Sequence, residues 1–71
     1  MSTESERLAK IRQADVFATV LAAIKTEGAR DAYRLALAAE GKALNLSSAD
    51  IKEIMDLTED ILVQIEEGAS S

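Results

Sequence analysis

Residues 47–67, SSADIKEIMDLTEDILVQIEE, decide the class of this chain. Ile51, Ile54, Met55, Thr58, Ile61, Leu62 and Ile65 recur at steps of three and four, which draws one stripe down a helix. Ser47 is placed to accept the backbone N–H of Asp50, Asp50 to reach back, and Leu46 to staple onto Ile51. Gly68 reads as the stop. The opposite side carries Glu53, Asp56, Glu59, Asp60, Glu66 and Glu67 against the single Lys52. The stretch predicts an amphipathic helix over 47–67, against which the earlier chain must pack.

Upstream, Thr3-Glu4-Ser5-Glu6 has the form of a capping box, and a first helix is expected over about 3–27 with Gly28 as its stop. Its apolar residues do not keep to one side. Leu8 and Ile11 fall on one flank, Val16, Phe17, Val20, Leu21 and Ile24 on the other, with Ala14, Ala18 and Ala22 between them. Such a drifting surface suits a helix touched from several directions. A second helix is expected over 29–44. Ala32, Leu35, Ala36, Ala39 and Ala43 form its main stripe, small enough to admit another helix closely, while Tyr33, Leu37 and Leu44 form a second stripe flanked by Arg30, Arg34 and Glu40. Gly41 either ends this helix early or sits inside it at a cost of about 1 kcal/mol. The tail 68–71 is expected to fray.

The fold class that follows is all-α: one domain over 1–71, with two long amphipathic helices and a shorter middle one. Ala and Leu favour helix, Pro is absent, and no alternating β-branched run occurs. A chain of 71 residues is short for a self-sufficient core. Without Cys it has no disulfide, and without His it lacks the commonest transition-metal ligand. A second copy of the chain is therefore the expected reinforcement, giving a homodimeric helical bundle joined through the first and third helices. The candidate dimer and core residues are Phe17, Val20, Leu21, Ile24, Ile54, Ile61, Leu62 and Ile65.

Net charge is −5, unevenly spread. Residues 1–46 hold seven basic and six acidic side chains, residues 47–71 one and seven. Bulk charge of this sign does not attract nucleic acid, and an acidic third helix would repel phosphates in a helix-turn-helix arrangement. No apolar run approaches the about 20 residues of a membrane span. The N-terminus lacks the order of a signal peptide, so a cytoplasmic location is expected.

Chemistry is expected to be absent. The carboxylates lie opposite the apolar stripe, the hydroxyls sit in caps and tails, and no His or Cys is present to activate them. The glycines stand apart, not in a phosphate-binding loop. Neither enzyme activity, cofactor nor metal is expected. Arg30, Tyr33, Arg34 and Leu37 combine residue types found at the centres of interfaces and form the candidate partner-binding patch, the alternative being that Tyr33 caps the edge of the core. Leu57 and Val63 lie off the main stripe and add a mild signal for a further protein contact.

The expected function is that of a small acidic regulator or inhibitor, a non-catalytic protein-binding module occupying a surface on a larger partner protein. Its size and composition are of a type met among small accessory proteins of bacteria and phages. Two other roles compete: an acidic decoy that blocks a basic groove with Glu53, Asp56, Glu59 and Asp60, and a purely structural dimerisation element.

Overall fold

The computed structural model describes the backbone of residues 3–70 and the side-chain surroundings of residues 4–68. It contains three helices, α1 (Thr3–Ala23), α2 (Glu27–Ala43) and α3 (Ser48–Ser70), with no strand among the described residues.

The α3 start follows from its cap. Ser47 Oγ accepts the Asp50 N–H at 3.1 Å, and the Ser47 carbonyl accepts the Ile51 N–H at 3.0 Å. The side chain of Asp50 turns instead to Lys10. Gly68 does not stop this helix, which continues to Ser70. The capping box expected at Thr3 depends on a side chain outside the described residues, as does part of the 68–71 tail.

The first helix ends at Ala23, earlier than Gly28 suggested. The reason is Thr26. Its backbone is extended, and its hydroxyl accepts the Ala29 N–H at 3.3 Å, so it caps α2 and leaves Gly28 inside that helix's first turn. At the other end of α2, Asn45 adopts a left-handed φ of 65°. The Leu46 N–H then reaches the Gly41 carbonyl and the Asn45 N–H the Lys42 carbonyl, each at 3.0 Å. This pair of bonds is a Schellman motif, with Asn where Gly is commoner. Gly41 lies inside α2 because α3 comes close there: a Cβ built on it would stand 2.9 Å from Ile51 Cγ1.

α1 and α3 run in the same direction, with α2 antiparallel between them in the chain. Lys10 lies over Asp50 and Glu53, and Leu21 packs with Leu62 further along. The α1–α3 contact is the most extensive in the molecule. Ala14, Ala18 and Leu21 on α1 and Ile54, Thr58 and Leu62 on α3 are buried. Ala14 and Ala18, one turn apart, let the two helices approach closely. The Thr58 hydroxyl donates to the Ile54 carbonyl at 2.7 Å, so its burial orphans no polar group.

α2 packs less extensively, and its orientation corrects the expectation. The stripe Ala32, Leu35, Ala36, Ala39 and Ala43 faces solvent, while Arg30, Tyr33, Arg34 and Leu37 turn toward the other helices. Tyr33 and Ile24 pack against the core cluster, and the Phe17 and Tyr33 rings meet edge to face at 6.5 Å. Of the candidate core residues, Leu21, Ile54 and Leu62 are buried, Phe17, Ile24, Ile61 and Ile65 are half-buried, and Val20 is exposed. The Cα envelope measures 40 × 24 × 14 Å. Three helices in mutual contact at about 8–10 Å would be roughly 15 Å across in both short directions, so the bundle is splayed.

Candidate binding surfaces

The splay leaves a groove. A cavity of about 250 Å³, open to solvent, is bounded by Gln13 and Phe17 of α1, Leu37, Glu40 and Gly41 of α2, Leu44 and Leu46 of the turn, and Ile51, Ile54 and Met55 of α3. Eight of these ten residues are uncharged and carry no side-chain hydrogen-bonding group; Gln13 and Glu40 are the polar ones. The Schellman turn places Leu46 here, and the missing Cβ of Gly41 allows Ile51 to lie against α2. Leu44 and Leu46 remain exposed at its end.

The arginines expected in a partner-binding patch are engaged within the chain. Arg30 donates Nε–H to the Ile24 carbonyl at 3.1 Å and Nη2–H to Glu66 at 3.0 Å, with Glu27 beside Nη1 at 3.5 Å. It therefore caps the carbonyl end of α1 while tying α2 to α3. Arg34 grips Glu59 with two donors, at 2.8 and 3.1 Å, and Asp31 with a third at 2.9 Å. Both arginine side chains are largely covered, at 14% and 26% exposure. Long apolar stems along the helix and paired heads at its edge explain how two arginines occupy an inward face.

The acidic face is less free than the sequence suggested. Glu59 is half-buried under Arg34, Glu53 meets Lys10 at 2.7 Å and Asp56 meets Lys52 at 2.9 Å. Lys10 sits between Glu53 and Asp50, and these hydrogen bonds, Glu53 first, push its ammonium pKa up to about 12. The Asp50 carboxyl is held below its ordinary value, chiefly by Lys10 and then by Ser47. Among the described residues no group of three or more acidic side chains comes together as a metal site would require.

Further apolar exposures remain among the described residues. The α2 stripe is one, with Leu35 73% exposed at its centre. Val16 and Val20, three residues on from Gln13 and Phe17 of the groove wall, are a second. Leu8 and Ile11 lie on the other flank of α1, as their spacing predicted. Leu57 is half-buried and Val63 exposed. No described helix is long and apolar enough to cross a membrane. Comparison with known families, with curated proteins and with solved structures finds no match to this chain.

Proposed function

We propose that the chain is a non-catalytic protein-binding module, working as a homodimer, that regulates or inhibits a larger protein by occupying a surface on it. The observation that carries this reading is the outward face of α2. Ala32, Leu35, Ala36, Ala39 and Ala43 make a continuous uncharged stripe that the fold does not use. Alanines permit a helix to approach at the short end of the 8–10 Å range, and Leu35 stands up among them as a knob. The arginine clamps from α2 to Glu59 and Glu66 hold the stripe in place before any partner arrives, which reduces the ordering cost of binding. The acidic-decoy role draws less support, because three of its four carboxylates face internal cations.

The test is affinity capture from the native cell with the wild-type chain and with Leu35→Glu. Leu35 makes no core contact, so the variant is expected to retain its helicity and melting temperature while losing its captured protein. An unchanged set of captured proteins would overturn the assignment of α2. Capture of nothing except the chain itself by wild type would leave the structural dimerisation role.

A further inference from the structure

We infer that the homodimer forms through α1, with two copies of that helix crossing antiparallel about Val16 and each copy's valines closing the other's groove. This rests on the proposed self-association and gives it a surface. Ala9, Gln13, Val16, Val20 and Ala23 are spaced by alternating steps of four and three, the rhythm of a coiled-coil seam. All five are exposed, on the side of α1 opposite the fully buried Ala14 and Ala18. The seam carries no charge, in a chain of which 30% is charged. Its single polar member, Gln13, stands where one polar residue in a seam selects register.

The occupant is argued from symmetry and area. A two-fold contact must be self-complementary. Here an apolar ridge, Val16 and Val20, stands one helical turn on from Gln13 and Phe17, the α1 residues that wall an apolar hollow lined also by Leu37, Leu44 and Met55. A two-fold axis through Val16 sets Ala9 against Ala23 of the second copy and brings the second copy's Val20 beside Gln13, at the mouth of the hollow. The accessible surface is 5114 Å² for a mass of 7.6 kDa. That is about 800 Å² more than a folded monomer of this mass exposes. That excess belongs to the whole chain and is shared among its exposed faces, the α1 seam, the groove and the α2 stripe included; a standard-size interface takes about 800 Å² from each partner.

Because the chain has no cysteine, the geometry can be read by crosslinking. Sedimentation equilibrium of the wild type at micromolar concentration is expected to give twice the 7.6 kDa chain mass. Val16→Lys combined with Val20→Lys should weaken the dimer at least tenfold, with circular dichroism unchanged because both positions are exposed. Under mild oxidation Val16→Cys should link to itself far faster than Leu8→Cys. Ala9→Cys should link to Ala23→Cys in a mixture and not to itself. A chain that stays monomeric at hundreds of micromolar would overturn the self-association reading and this inference together. A dimer indifferent to the valine substitutions, or one in which Val16→Cys links no faster than Leu8→Cys, would overturn the α1 surface alone. Self-linking of Ala9→Cys would overturn the antiparallel arrangement.

Discussion

Arg30 on α2 donates from Nε to the carbonyl oxygen of Ile24, 3.1 Å away and just past the end of α1. The same guanidinium reaches Glu66 on α3, so one side chain joins the C-terminal end of α1, the start of α2 and the far part of α3. Its 14% exposure makes these bonds more than surface decoration. Arg30→Ala is expected to lower the unfolding free energy by about 1.5–3 kcal/mol, the range for hydrogen bonds to a charged group. Arg30→Lys should recover only part of this, because an ammonium cannot present the fork. Urea denaturation of the three proteins measures it; an Arg30→Ala midpoint equal to wild type would remove the clamp from the account.

Gly41 and Ile51 give a prediction whose sign depends on crowding. Alanine in place of a helical glycine ordinarily stabilises by about 0.5–1 kcal/mol. Here the new methyl would meet Ile51 at 2.9 and 3.2 Å, so Gly41→Ala is expected to destabilise by about 1 kcal/mol. Combining it with Ile51→Ala relieves the clash, and a double-mutant cycle should show a favourable coupling of at least about 0.5 kcal/mol.

Asn45 holds a left-handed backbone at the end of α2. Asn45→Gly should raise stability by a few tenths to about 1 kcal/mol, since glycine adopts this conformation without a Cβ penalty. Asn45→Val should lower it by about 1–2 kcal/mol. Thermal melts of both variants test the motif, and equal midpoints would contradict it.

The Lys10 network makes stability depend on pH at both extremes. Asp50 has a depressed folded-state pKa. Its contribution is present above the ordinary carboxylate value of about 3.9 and fades as pH falls through the lower folded value. Lys10 is shifted the other way, to about 12. Its contribution is full below the ordinary value of about 10.4 and is lost as pH rises through the folded value. Lys10→Met should flatten both limbs of a stability-against-pH curve. High salt should do so only in part, because Lys10 and Asp50 are half-buried and the bonds are direct.

Much of this architecture was legible in the chain. The Ser47 cap, the stripe from Ile51 to Ile65 and the count of three helices followed from local chemistry and a period of 3.6. The turn at 24–26 did not, because Gly28 drew attention from Thr26, whose hydroxyl does the capping. The larger miss was the rotation of α2. Hydropathy favours its alanine stripe as the inward side, yet Ala contributes little area, and the fold instead buries the stems of two arginines and the ring of Tyr33. The signal for this was available in a different form. Glu59 and Glu66 are two turns apart on α3, Arg30 and Arg34 one turn apart on α2, and an antiparallel pairing matches them. The inward side of α2 thus combines Tyr33 and Leu37 with two paired arginines, and the alanine stripe is left outside.

The dominance of the α1–α3 contact carries a consequence for synthesis. Ala14, Ala18 and Leu21 emerge from the ribosome long before Ile54, Thr58 and Leu62, the side chains that cover them. Until α3 is made, the leading helix lacks the surface it packs on. The α1–α3 pairing is therefore a late event of synthesis, possible only once α3 has left the ribosome.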